Sequence, residues 1–430
     1  MKLWDKGQQN TSDIIDRFTV GSDRVLDLEI AGYDLRASKA HARMLNSVGI
    51  LSQREMTDLV EELDRLLEEV EEGSFAIEEE FEDIHSKIEY ELTRKLGETG
   101  KKIHAGRSRN DQVLVCLHLY AKEQIREIKK LVKALFDRFM SLSGQHREVI
   151  IPGYTHMQVA MPSSFGLWFG AYAESLVDDL YMLNAAYRIA DQNPLGSAAG
   201  YGSSLPLDRE MTTRLLGFQT LKYNSAAAQM SRGRLEKTTS FALSAVAGTL
   251  SRMAMDTCLY MSQNFGFLTF PDELTTGSSI MPHKKNPDVF ELVRAKCNRI
   301  QNLPNELTLI INNLPSGYHR DFQLLKETFF PAVETLKSCL NISHFMFGQV
   351  QVNADAIHDE KYDYLFSVEE VNKSVMQHVP FREAYREVGA AIANGSFRPD
   401  RQLDHTHEGS IGNLCNDEIK EKFNQAYNQS

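Results

Sequence analysis

The sequence predicts an all-α protein whose middle is a bundle of very long helices. Three observations carry this. Only 12 prolines are spread over 430 residues. Apolar residues recur at three- and four-residue steps, while strand-like alternation is scarce. Five stretches keep that spacing for about 23–35 residues, or some 35–50 Å of helix, where the mean helix has about 11. At about 150 residues per domain, the length suggests roughly three domains.

Taken in order, Ala42–Leu45 leads into a helix over 52–70, with Ser52 as cap and Glu55 at the capping-box position. The long helices are then expected at Asp111–Gln145, Pro162–Ala190, Leu235–Gln263, Pro287–Asn313 and Thr328–Val350, with a kink at Pro304 in the fourth. The third carries Phe241, Leu243, Val246, Leu250, Met253 and Met255, apolar around much of its circumference. Such a helix needs partners on several sides, which points to subunit association. Composition shifts at Lys101–Ser108 and Asn353–Tyr364, which gives expected domains at 1–105, 106–353 and 354–430.

Lys and Arg number 47 against 59 Asp and Glu, a net charge of −12 that argues against a nucleic-acid partner. Five widely spaced cysteines without a C-x-x-C do not suit a disulfide framework or a zinc knuckle. The opening MKLWDKGQQN lacks the apolar run of a signal peptide, and no stretch approaches a membrane span. A cytoplasmic protein is expected.

Three polar helix starts stand out. Gly277–Asp288 (GSSIMPHKKNPD) reads as a loop and then a helix start, with Asn286 as cap and Pro287 in the first helical position. Free N–H groups there, with Lys284 and Lys285 just before them, suit an anion. Gly106–Asp111 (GRSRND) puts guanidinium groups beside capping residues, and arginine can hold a carboxylate through paired hydrogen bonds. Tyr154–Gln158 brings His156, able to exchange protons near neutral pH, to the start of the second long helix. Taken singly, each is as well explained by helix capping; three in one bundle are more telling. Glu82-Asp83-Ile84-His85 is weaker, and Asp404–Glu408 does not place its two histidines on one helix face, so no metal site is expected. Neither a P-loop nor a Rossmann fingerprint is present, so no nucleotide cofactor is expected.

The Gly277–Asp288 stretch resembles the GSSxMPxKxN signature of the fumarase/aspartase superfamily, and its KKNPD ending is similar to the argininosuccinate lyase family. Glu82–His85, Gly106–Gln112, Gly153–Gln158, Pro194–Glu210 and Tyr318–Glu327 resemble that family's segments in the family's order, from about Ala37 to Glu327. The resemblance implies a three-domain all-α fold, with the long helices of four subunits forming a twenty-helix core. Each active site of that homotetramer would be shared between subunits. It implies reversible elimination of fumarate from argininosuccinate to give arginine, with no cofactor or metal. Among site residues it implies Ser278 as base and Glu291 orienting His156; the charge of the intermediate points to Lys284 and Asn286 around its doubly charged carboxylate, and the leaving nitrogen's need for a proton to His156 as the donor. Substrate contacts would come from Ser38, Arg109, Asn110, Thr155, Tyr318, Gln323 and Lys326, with His85 in support. The family's Trp-Gly-Gly-Arg-Phe is absent, Trp4 being followed by Asp5-Lys6-Gly7, and its arginine contact falls on Arg232 or Arg234 of Ser231-Arg232-Gly233-Arg234. Adenylosuccinate lyase and aspartase are the alternatives within the superfamily. A non-catalytic, crystallin-like scaffold is the alternative outside catalysis, against which the intact polar segments argue.

Overall fold

The computed structural model describes residues 13–429, so the atypical Trp4–Gly7 segment lies outside the described residues. Helices α1 (Asp13–Val20), α2 (Asp23–Leu26), α3 (Ala31–Ser47), α4 (Gln53–Glu71), α5 (Ile84–Leu96) and α6 (Glu98–Lys101) come first. The long helices follow as α7 (Arg109–Gln145), α8 (Phe165–Ala190), α11 (Arg234–Met261), α12 (Asp288–Ile311) and α13 (Leu325–Phe347), with short α9 (Arg209–Leu215) and α10 (Ser225–Gln229) between α8 and α11. The chain finishes with α14 (Ser367–Met376), α15 (Phe381–Ala393) and α16 (Asn416–Tyr427). The fold is all-α, as expected, with a few short two-stranded pairings.

Two local signals behave as the sequence suggests. The Ser52 side chain accepts from the Glu55 N–H while Glu55 reaches back to the Ser52 N–H, a complete capping box. Ser108 and Asp111 form a second one at the head of α7. All five long helices are present, and α7, at 37 residues, spans about 55 Å.

Three expectations need correction. The second long helix opens at Phe165, capped by Ser164, and not near Pro162. Pro162 instead lies in an antiparallel ribbon of β1 (Ile150–Thr155) and β2 (Gln158–Ser164) and stands opposite Pro152. A ribbon of two strands is all edge, so proline's missing N–H is tolerated. The fourth long helix begins at Asp288, with Pro287 as its cap residue. Asn286 does not cap it: its backbone bridges to Thr276, and its amide donates to the Gly277 carbonyl, 3.3 Å away.

The core runs through the bundle. Tyr120 of α7 packs on Phe330 of α13 with ring centroids 4.6 Å apart. Trp168 and Tyr172 of α8 both donate to Asp256 of α11, at 3.2 and 2.6 Å. The last helix folds back on the middle of the chain, where Phe423 stacks on Phe136 at 3.7 Å and Asn184 donates to the Ala426 carbonyl at 2.7 Å. No helix among the described residues is long and apolar enough to cross a membrane.

Candidate active site

One end of this bundle collects polar side chains from five segments around a cavity of about 120 Å³. The first turn of α7 supplies Arg109 and Asn110, and the start of α5 supplies Glu82, Asp83 and His85. Asp23 and Asp27 come from α2 and the turn after it, and Arg232 from just before α11. Tyr318, Arg320 and Gln323 come from the turn leading into α13, and Lys326 from its first turn. Local chemistry explains each placement. Asp83 caps α5 by accepting from the Ser86 N–H at 2.8 Å, which leaves its other oxygen 3.0 Å from Arg109. Arg109 also donates to Ser86 Oγ at 2.8 Å. Arg320 is drawn in by Glu82 at 2.6 Å, and Gln323 donates to the carbonyls of Thr19 and Val20 at 2.9 Å each.

Beneath the cavity lies a buried charged pair. His85 Nδ1 is 2.7 Å from Asp34 Oδ2, and both side chains are essentially inaccessible. Gln112 donates to both Asp34 oxygens, at 3.0 and 3.1 Å. Burial opposes both charges, but each partner outweighs it for the other. His85 is held above the usual imidazole range by Asp34, and Asp34 below the usual carboxylate range by His85, Arg107 and Gln112. Burial likewise works against Asp83, yet His85, Arg109 and Ser86 hold it low. Burial pushes the Asp23 carboxyl up to about 6 against the pull of Lys326, and Asp27 adds to that push. Asp111 ties two of the sequence segments together. Its carboxylate accepts from the N–H of Ser108 (2.8 Å) and from those of Gly196 and Ala198 (2.9 Å each), while burial raises its pKa to about 6.

The cavity therefore brings together His85, Arg109, Asn110, Tyr318, Gln323 and Lys326 of the residues named from sequence. Ser38, expected to touch substrate, does not line it: fully buried, its hydroxyl donates to Asp34 at 3.2 Å and accepts from Arg107 at 2.9 Å. Of the two arginines left open, Arg232 lines the cavity and Arg234 is exposed. Asp23, Asp27 and Arg320 were not singled out from sequence. Asp23 and Asp27 sit in a short helix and turn with no motif to mark them.

The other named residues form two separate groups, exposed or half-buried. Thr155 and His156 lie at the tip of the β1–β2 ribbon, where His156 and Met157 both have positive φ (52° and 60°), the signature of a two-residue type I′ turn. This backbone is strained for side-chain-bearing residues, and it makes His156 project from the tip. Ser278, Lys284 and Asn286 occupy the loop closed by the Thr276–Asn286 bridge, with Glu291 exposed on the first turn of α12. There the N–H groups of Ile280 (3.3 Å) and Met281 (3.1 Å) both donate to Ser278 Oγ. Neither group touches the cavity of its own chain.

Asp34, His85 and Cys116 are the one set of potential metal ligands that converge among the described residues. His85 Nδ1 and Asp34 already bond each other, Cys116 donates to the Gln112 carbonyl, and burial raises the thiol. His405 turns to Glu369 at 3.1 Å and His407 to the Glu408 carbonyl, so the Asp404–Glu408 stretch gathers no ligand set.

Residues 7–302 match the lyase family model. The argininosuccinate lyase of Parabacteroides distasonis is 57% identical, covering 97% of this chain and 94% of that one. The chain belongs to the argininosuccinate lyase family. A more distant member, from Thermotoga neapolitana, is 42% identical over 90% of this chain and 97% of its own. Solved structures extend the likeness of fold. EDDS lyase in complex with formate superposes with a TM-score of 0.75 at 20% identity, covering 98% of this chain and 90% of that one. The class II fumarase of Schistosoma mansoni gives 0.74 at 17% identity, covering 96% and 94%. The family's polar segments thus sit on a shared long-helix scaffold, with one group in the cavity and two on exposed loops.

Proposed function

We propose that this chain is an argininosuccinate lyase that reversibly eliminates fumarate from argininosuccinate, leaving arginine. The observation that carries the reading is the convergence of Arg109, Asn110, Tyr318, Gln323 and Lys326 on one cavity from segments far apart in sequence. The reaction removes a weakly acidic proton from the carbon beside a carboxylate, breaks the neighbouring C–N bond and returns a proton to the departing guanidine nitrogen. Its intermediate carries two negative charges on one carboxylate group, so preorganised cations and N–H donors matter most. Lys284, Asn286 and the start of α12 supply them.

Ser278 takes the carbon-bound proton. A hydroxyl is a poor base at its free pKa. The two backbone N–H groups aimed at Ser278 Oγ favour its ionised form and support this role. His156 returns the proton to nitrogen, oriented by Glu291. Arg109, Asn110 and Thr155 hold the succinyl carboxylates; Tyr318, Gln323 and Lys326 hold the amino-acid end; His85 and Ser38 support the wall of the site. Since the three groups do not meet within one chain, the site is assembled in a homotetramer, each group coming from a different copy. Apolar side chains left exposed on the long helices, among them Phe241, Met255, Leu292, Leu309 and Phe345, support that assembly. Residues 1–105, 106–353 and 354–430 form its three domains, and the enzyme works in the cytoplasm without a cofactor.

The test is fumarate release from argininosuccinate, with adenylosuccinate and aspartate as comparators. Turnover of argininosuccinate alone is expected; none from a folded assembly would favour the scaffold alternative. Ser278→Ala should still bind substrate but turn over about 10²–10⁴-fold more slowly. Near-normal turnover in that variant would remove Ser278 from the base role.

A further inference from the structure

On one side of the cavity two carboxylates share a single ammonium. Lys326 Nζ lies 2.6 Å from Asp23 Oδ1 and 2.6 Å from Asp27 Oδ1, so one ammonium serves two carboxylates and the trio carries a net −1. Asp27 is spent inside the fold, with its second oxygen accepting from the Ile84 N–H at 3.3 Å and almost no exposure. Asp23 is different. Its side chain keeps 15% of its exposure, it lines the cavity, and its Oδ2 makes no hydrogen bond or ion pair among the described residues. The other cation acting on Asp23, Arg232, is already paired with Glu236 at 3.1 Å.

A second observation marks the same cavity as built for a polar ligand. His85 lines it with Nδ1 held by Asp34, yet its Nε2 is buried and has no hydrogen-bond partner. A buried donor is normally satisfied, so an orphaned one facing a cavity calls for an acceptor from a ligand.

We propose that Asp23 is a specificity-determining residue that receives the α-ammonium group of the substrate's amino-acid end, so that the site demands a free amino group there. This rests on the lyase reading for the identity of the substrate. The succinyl part of argininosuccinate is anionic and is repelled by Asp23 and Asp27. The cationic groups of the molecule are its guanidinium, which must stay at the reacting C–N bond, and its α-ammonium, which is free to reach that side of the cavity. A carboxylate with one uncommitted oxygen matches an ammonium through a charge-assisted hydrogen bond.

The experiment measures binding of L-arginine and of its des-amino analogue to the assembled protein by calorimetry, alongside fumarate release. Wild type should bind arginine about ten- to hundred-fold more tightly than the analogue, the value of one hydrogen bond to a charged group. Asp23→Asn should weaken arginine by that factor, leave the analogue unchanged and bring the ratio close to one; Asp23→Glu should restore part of it. KM for argininosuccinate should rise in parallel with little change in kcat. If Asp23→Asn weakens both ligands alike, or neither, Asp23 is only a strut between α2 and α13 and the proposal is overturned. Binding does not require turnover. Absence of fumarate release would therefore count against the lyase reading, while the ligand ratio would still decide the role of Asp23.

Discussion

Asp34 and His85 meet with almost no solvent on either side chain, and their charges hold each other in place. His85 is raised above its ordinary 6.5, so its contribution to stability is full below that value and fades as pH climbs through the folded pKa. Asp34 is lowered below its ordinary 3.8, so its contribution is full above that value and fades as pH falls through the folded pKa. The pair therefore stabilises most between 3.8 and 6.5. Asp34→Asn, which leaves a buried imidazole without its counter-charge, should cost about 3–5 kcal/mol in urea unfolding. The gap between variant and wild type should be widest between 3.8 and 6.5 and should narrow as pH rises through the raised folded pKa of His85. A gap that does not depend on pH would mean that packing, and not charge, holds the two together. His85 was visible in the sequence because it belongs to a recognisable segment. Asp34 was not, because nothing in a helical spacing shows which buried carboxylate, 51 positions away, meets it.

At the level of elements, chain entry into a helix decides where its neighbouring side chain points. Gly233 precedes α11 with φ +78°, and a Cβ there would stand 2.8 Å from Ile311 Cγ2 and 3.2 Å from the Phe322 ring. Both the dihedral and the space demand glycine, and this fixes the preceding Arg232 against the cavity. Gly233→Ala should cost about 1–3 kcal/mol and raise KM by shifting Arg232. Ser52→Ala, which removes the cap of α4 far from the cavity, should cost about 1 kcal/mol and leave KM unchanged. Equal effects on KM from both would mean that general loosening governs the site. The same contrast explains what could be read in advance. The long helices and the Ser52 cap depend on local spacing and were legible. The β1–β2 ribbon was not, since its paired prolines and short alternation look like loop, and the unused cap at Asn286 yielded to a backbone bridge with Thr276 set by the return path of the loop.

At the scale of the whole molecule, the governing fact is that one chain displays the parts of the proposed site at separate places. The cavity holds Arg109, the ribbon tip holds His156, and the bridged loop holds Ser278, with the latter two groups away from the cavity of their own chain. Exposed apolar side chains on α8, α11, α12 and α13, including Met182, Phe241, Leu309 and Phe345, leave these helices short of partners. A closed homo-oligomer satisfies both needs, because symmetry brings copies of each group to every site. Mixing two inactive variants then distinguishes shared from private sites. Ser278→Ala and His156→Asn should each form tetramers with little fumarate release. When the two are unfolded together and co-refolded, random assortment should leave about a quarter of the sites with both wild-type groups, and activity should return to about that fraction. Sites contained within single chains would stay dead in every mixture, because each chain would carry one lesion. Recovery therefore requires that Ser278 and His156 of one working site belong to different copies, and that requirement is what the separation of the three polar groups in the folded chain imposes.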